Sequence, residues 1–336
     1  MVSFPVYQCH VYLGLDVAKA TDVILGGYFE HRLFSSTQLS LYHQRVRAKV
    51  GCLETGNYSF PVIARGRMPS DRVCIGFMAY GSEVARYNTT PIDPDEVQIY
   101  PEGCELLYHT SGPARWVVYS VERKLLQQAA VAYSGEPLPL SKDRIVSLRL
   151  GKNAVDELIR LTDEVFTVSQ SRAMGSVDPD SEFSDALCDK LFNHYVSALC
   201  HSVILNNEEK KSAISHRHNN LIRDSEDFVM SREDVSSSLI NIAERTGYSL
   251  RALELIFRNS VGMPPGKWFL NLRLNGALRD LLNASAESSV SSIATKWGFQ
   301  HLSRFSEQYR KTFGEYPSHT LMRNQKRGQF VRVVED

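Results

Sequence analysis

A chain of 336 residues is long for one ordinary core and suits two domains at roughly 150 residues each. With 43% hydrophobic, 23% charged and 10% aromatic residues, the composition excludes a wholly disordered, collagen-like or membrane-spanning chain. Basic and acidic residues cancel at 38 each, but 21 basic stand against 25 acidic in residues 1–213 and 16 against 11 in residues 214–330. The C-terminal third therefore carries the sign needed to approach a polyanion.

The N-terminal MVSFPVYQCHVYLGLDV has no basic region, long apolar run or cleavage site of an export signal. No stretch approaches the ~18 uninterrupted apolar residues of a membrane helix, so the expected location is the cytoplasm, with no membrane partner. The cysteines (Cys9, Cys52, Cys74, Cys104, Cys188 and Cys200) form no CxxC pair, which predicts reduced, structural thiols.

From about Leu39 to Glu122, apolar residues come in short runs: LSLYHQRVRAKV, VCIGFMAY, VQIY, ELLYH and RWVVYSV. ETGN (54–57), PIDPDE (91–96) and TSGP (110–113) read as turns between strands, which predicts a small β-barrel or sandwich. On the first run, His43, Arg45, Arg47 and Lys49 alternate with Tyr42, Val46, Ala48 and Val50. One strand face is then basic, and with Arg65 and Arg67 it forms a candidate site for a phosphate or carboxylate effector; an exposed strand face is the plainer alternative. His10, His31, His43 and His109 show no HxH cluster with a suitably placed Glu, so no metal and no cofactor are expected.

After Leu150 the period becomes helical. VDELIRLTDEVF (155–166) forms one apolar face, and Phe183, Leu187, Leu191, Tyr195, Leu199 and Val203 form another. SQSRAMGSVDPDS (169–181) between them reads as a loop, and NNEEKKS (206–212) as a polar break before the basic third. The expected division is a β domain over 1–150, a helical connector over 151–213 and an all-α domain over 214–330.

The last third repeats itself, as IAERTGYSLRALELIFRNSVG and IATKWGFQHLSRFSEQYRKTFG. In the first copy Ile242 and Ala243 open a short helix, Gly247 supplies a turn, and Ser249 caps a second helix that carries Leu250, Leu253 and Phe257 inward. In the second, Ile293, Ala294 and Gly298 precede a helix from about Gln300 with Phe305, Tyr309 and Phe313 on its inner face. Each is a helix-turn-helix, and each second helix stops at a glycine, Gly262 or Gly314, with proline soon after. Between them PPGKWFLNLRLNGALRDLLN (264–283) reads as one helix burying Trp268, Phe269, Leu272, Leu274 and Leu278. At ~1.5 Å per residue it spans ~30 Å, close to the ~34 Å between successive major-groove faces of DNA. Trp268, Trp297, Phe299 and Phe313 read as core.

IAERTGYS, LELIFRNSVGMPP, LRLNGALRDLL, IATKWGF and RFSEQYRKTFGEYPS resemble the AraC/XylS family of bacterial transcription regulators over about the last 110 residues. The N-terminal portion shows a looser likeness to that family's cupin-like sensor barrels. The resemblance implies an α+β protein with a cupin-like barrel, a helical connector and two helix-turn-helix units. It also implies sequence-specific binding of double-stranded promoter DNA, commonly activation through RNA polymerase, and control by a small-molecule effector. In similar proteins helices like the one from Phe183 to Val203 pair subunits, so a homodimer is one expectation; packing on the chain's own barrel is the other.

A step of about 100° per residue places Arg251, Leu255 and Arg258 on the outer side of the first recognition helix, with Glu254 at the edge and Ser249 at the cap. The second exposes Gln300, His301, Ser303, Arg304, Glu307 and Arg310. Arginine engages guanine bidentately and glutamate accepts from cytosine, so Arg251, Gln300 and Arg304 lead as base readers and Arg258 as a phosphate contact. Family members often carry arginine at the place of Glu307 and a polar or basic residue at Leu255. The rival readings are an adaptor whose helix-turn-helix units have lost DNA affinity, and an enzyme; no nucleophile elbow, P-loop or metal-ligand spacing supports the latter.

Overall fold

The computed structural model describes residues 6–35, 39–81, 85–175, 181–204, 209–230, 235–285 and 287–331. The N-terminal strands are β1 (Val6–Leu13), β2 (Tyr28–Arg32), β3 (Ser40–Arg47), β4 (Gly51–Tyr58), β5 (Val62–Arg67), β6 (Val73–Gly81), β7 (Ala85–Tyr87), β8 (Thr90–Ile92), β9 (Glu96–Tyr100), β10 (Glu105–Thr110) and β11 (Ala114–Val121). Helix α1 (Arg123–Ser134), β12 (Val146–Arg149), α2 (Lys152–Ala173), α3 (Ser181–Cys200) and β13 (Val203–Ile204) follow.

The strands pair as two sheets in the orders β1-β3-β4-β11-β6-β9-β12-β13 and β2-β5-β10-β7-β8. Every described pairing is antiparallel, and among the described residues the two sheets are not joined by strand pairing into a closed barrel. Because side chains alternate along a strand, the larger sheet has two buried faces. Val46, Leu53, Ile75, Val97, Val117 and Tyr119 pack against Leu126, Leu158, Leu161, Leu191 and Tyr195 of α1, α2 and α3. Leu41, Tyr58, Cys74, Met78, Trp116 and Val118 face the smaller sheet's Phe29, Ala64, Leu106 and Tyr108.

Five local expectations change. ETGN is the middle of β4, not a turn: a Cβ on Gly56 would stand 2.5 Å from the Trp116 indole, so the glycine lets that ring lie across the strand. Helix α1, absent from the sequence reading, covers the larger sheet through Leu126 and Ala130. Helix α2 continues to Ala173 through the start of the expected loop, and the expected polar break runs into the next helix, which begins at Glu209. The α3 stripe of Leu187, Leu191, Tyr195 and Leu199 is buried against its own sheet, while Val203 lies in β13, exposed; the side chain of Phe183 lies outside the described residues.

The C-terminal helices are α4 (Glu209–Met230), α5 (Val235–Thr246), α6 (Leu250–Val261), α7 (Pro265–Leu282), α8 (Val290–Lys296), α9 (Leu302–Phe313) and α10 (Pro317–Val331). None of the described helices is long and apolar enough to cross a membrane.

Candidate nucleic-acid interface

Helices α5 and α6 form the first unit. Gly247 makes the turn at φ 71°, and the Ser249 hydroxyl caps α6 by accepting from the Ala252 amide at 3.2 Å. Leu253, Ile256, Phe257, Ser260 and Val261 are buried, a stripe of helical period that holds α6 against α4 and α7. Leu250 is not part of it. At 52% exposed it projects from the first turn, ahead of the packed surface, whereas Ile256 is buried. Arg251, Glu254, Leu255 and Arg258 are all exposed. Arg258 donates to Glu254 at 2.9 Å, one turn away, so these two side chains occupy each other. Arg251 makes no ion pair or hydrogen bond among the described residues, and Leu255 is 59% exposed.

In the second unit Ser289 and Ser292 form a reciprocal capping box at the start of α8, and Gly298 turns the chain at φ 74°. The next helix, α9, starts at Leu302 rather than near Gln300; His301 is its cap residue, without a side-chain cap bond. Gln300 therefore stands before the helix. Phe305, Tyr309 and Phe313 are buried, while His301, Ser303, Arg304, Glu307 and Arg310 are exposed. The Arg310 guanidinium lies 5.4 Å from the centre of the Tyr316 ring, which steadies it along the helix rather than away from it.

Helix α7, 18 residues and so about 27 Å long, is core to both units. Trp268 and Phe269 pack with Leu253 and Phe257; Leu274, Leu278 and Leu281 pack with Ile293, Phe305 and Tyr309. Gly276 lies under the Trp297 indole, where a Cβ would stand 2.1 Å from the ring, and the indole N–H donates to Asp280 at 2.8 Å. Of the four expected core aromatics, Trp268 and Phe313 are buried, and Trp297 and Phe299 are half-buried against the same core.

A junction that the sequence did not announce ties this unit to the sheets. The Glu226 carboxylate on α4, 1% exposed, accepts from Arg32 of β2 at 2.6 Å, from Arg65 of β5 and from the Trp268 indole of α7 at 2.7 Å. Burial pulls the Arg32 guanidinium down to about 10, so it stays charged at neutral pH. Beside it, the Leu33 amide donates to Asn275 at 2.7 Å, and its carbonyl accepts from Asn271 and Asn275 at 3.0 Å each. Arg279 pairs with Glu30 at 2.8 Å. A cleft of about 390 Å³ opens next to these pairs. Such a buried polar network, in which Arg32 Nε and Arg279 Nη1 lack partners among the described residues, adds little net stability but is costly to break on one side.

The residues expected to hold an anionic effector are not brought together. His43 and Arg45 are buried on β3, facing the smaller sheet. Arg45 pairs with its cross-strand neighbour Glu54 and with Asp22 at 3.1 Å, and the His43 ring bonds the Val23 carbonyl at 2.9 Å. Burial pushes the Glu54 carboxyl up to about 7, against the opposing pull of Arg45, and pushes the His43 imidazole down to about 4. Arg47 is half-buried at the end of β3. Arg65 and Arg67 stand on the other sheet, paired with Glu226 and Glu105.

The space between the sheets holds a second feature missed by sequence reading. Gln98 on β9 is fully buried, and neither its Nε2 nor its Oε1 has a partner among the described residues; an unmade buried bond costs ~1–3 kcal/mol. Its signal, a glutamine inside the apolar run VQIY, was present but does not by itself mark a site.

Two helix-turn-helix units on one strut, each with an exposed polar recognition face, define a DNA-binding transcription regulator. Residues 242–323 match the profile of a helix-turn-helix domain family. The chain is 28% identical over 277 residues to a probable thc operon regulatory protein of Rhodococcus erythropolis, covering 74% of this chain and 82% of that one. It is 39% identical over 87 residues to a XylDLEGF operon transcriptional activator of Pseudomonas putida, covering 26% of this chain and 55% of that protein's length. Among solved structures, a probable AraC family transcriptional regulator from Rhodopseudomonas palustris is 29% identical over 32% of this chain and 98% of its own, at a TM-score of 0.28. Over residues 242–323 the chain is thus similar to the DNA-binding part of transcription regulators, which supports its resemblance to the AraC/XylS family.

Proposed function

We propose that the chain is a sequence-specific activator of transcription. Helices α6 and α9 would read two successive major-groove faces of promoter DNA, and RNA polymerase is the partner an activator requires. The observation that carries the reading is the pair of exposed faces, Arg251 with Leu255 and His301 with Ser303, Arg304 and Glu307, set on helices that share α7 as core. Arg251 and Arg304 are the base readers, as guanidinium groups matched to guanine. Leu255 suits a thymine methyl, and Gln300 stands before α9 where it can reach a base edge or phosphate. Arg258, engaged by Glu254, and Arg310, laid against Tyr316, fit phosphate contacts better than base contacts.

A small-molecule effector would act on the N-terminal sheets, and the Glu226 junction gives its effect a physical route to α4 and α7. The α3 stripe is buried on its own sheet, which leaves it unsuited to pairing subunits, so a homodimer would use another face. A salt titration on a duplex selected from a random pool tests the reading. Binding should fall linearly in log affinity against log salt as counterions return to the phosphates. An adaptor with disabled helix-turn-helix units would select no duplex at any salt.

A further inference from the structure

We infer that the space between the two sheets is the effector site and that Gln98 anchors an uncharged, largely apolar ligand presenting an acceptor beside a donor, as a carboxamide, lactam or pyridone does. This rests on the reading of the chain as an effector-controlled regulator.

The cavity, of about 50 Å³, is walled by Tyr58, Met78, Tyr100, Tyr108 and Trp116, with Gln98 among them. Strand register aims Gln98 inward: Arg45, Glu54, Val118, Gly76 and Gln98 form one row across the larger sheet, on the face turned to the smaller one. Two hydroxyl groups of the wall are engaged. The Tyr58 hydroxyl bonds His31 at 2.6 Å, and that of Tyr108 donates to the Met78 sulfur at 3.2 Å. Gln98 is the one lining residue whose buried polar atoms lack partners among the described residues.

Its amide offers a donor and an acceptor side by side, and the complement is a group with the same two functions in reverse order. The charged groups in its row neutralise each other: Arg45 and Glu54 pair, Arg45 holds Asp22, and Glu54 accepts from the Leu25 amide at 3.0 Å. A carboxylate would enter with no countercharge to meet it, and an amide would not need one. A water needs about 10–15 Å³ on the same measure, so the space admits a few atoms as it stands. Val23 and Ile24 also line it, on the segment that Asp22 and Leu25 tether to Arg45 and Glu54; that segment is where a single ring makes room.

The full-length protein is titrated at neutral pH with millimolar benzamide and pyridone, and with benzoate and toluene as references. Trp116 emission and the NMR signals of the Gln98 side-chain amide are the readouts. Benzamide or pyridone is expected to shift the Gln98 signals and to bind about tenfold or more tighter than either reference. Gln98→Leu should abolish that preference while the unliganded protein melts no lower, because an unpaired buried amide has been removed; Gln98→Met, closer in shape, should do the same. Equal binding by wild type and both variants, a preference for benzoate, or unmoved Gln98 signals with every probe would overturn the inference. Duplex selection on the same samples separates the two readings: intact selection without ligand binding defeats only this inference, and no selected duplex in wild type defeats the regulator reading itself.

Discussion

Removing the Glu226 carboxylate should cost more than any surface change in the chain. In Glu226→Ala, Arg32 keeps its charge in a site only 2% exposed and loses its carboxylate, while the Trp268 indole N–H loses its acceptor. Arg65, with its side chain 29% exposed, can turn to solvent, so its share of the loss is small. Stripping one partner from a buried ion pair costs about 3–5 kcal/mol, and the unmade indole bond adds about 1–3 kcal/mol. Glu226→Gln still offers one oxygen to Arg32 or Trp268, so it should lose about half as much. Urea unfolding followed by circular dichroism gives the stability change. Emission from Trp268, which lies 4.9 Å below the Arg32 guanidinium, reports whether the junction opens. A Glu226→Ala variant within about 0.5 kcal/mol of wild type, the scale of an ordinary surface substitution, would refute the junction.

Gly276→Ala tests the seam between the two units. Helix propensity alone would make it stabilising by about 1 kcal/mol, but the new methyl would collide with the Trp297 ring and should reverse the sign, to a loss of about 1–2 kcal/mol; a raised melting temperature would count against the packing. Acid should also weaken the fold. Burial pushes His31, His43 and His109 each down to about 4, so below about pH 6.5 the unfolded chain takes up protons that the folded chain refuses. The stability these groups contribute is present above that pH and lost toward pH 4, on the order of 3 kcal/mol per imidazole. Glu54, pushed up to about 7, works the other way between about 7 and its ordinary 4.5, which leaves a net loss of about 3 kcal/mol from pH 7 to pH 5. An unchanged or higher urea midpoint at pH 5 would contradict that sign.

The helix-turn-helix units were legible because their signals are local. Gly247, Ser249 and the Leu253/Phe257 spacing lie within eleven residues, and the second copy repeats them. Leu250 was misplaced because periodicity gives a residue's angle about the helix but not whether a neighbour stands beside the first turn. On β3 the alternation was readable and the direction of burial was not, since the groups that neutralise Arg45 come from Glu54 on the next strand and Asp22 on a distant loop. ETGN looked like a turn from its glycine and asparagine, yet Gly56 is there for the ring of Trp116, 60 residues later in the chain. Glu226 was invisible for the same reason: its partners Arg32 and Arg65 lie 194 and 161 residues away, and one acidic residue in the polar run RDSEDF carries no mark of them.

The most direct test of the account is a footprint on the selected duplex with wild type, Arg251→Ala and Arg304→Ala. Two protected patches about one helical turn apart are expected. Arg251→Ala should relax base preference in one patch and Arg304→Ala in the other, each by about 1–3 kcal/mol at a single position. A single patch disturbed by both variants, or two patches indifferent to either, would contradict a protein that reads DNA with both helices.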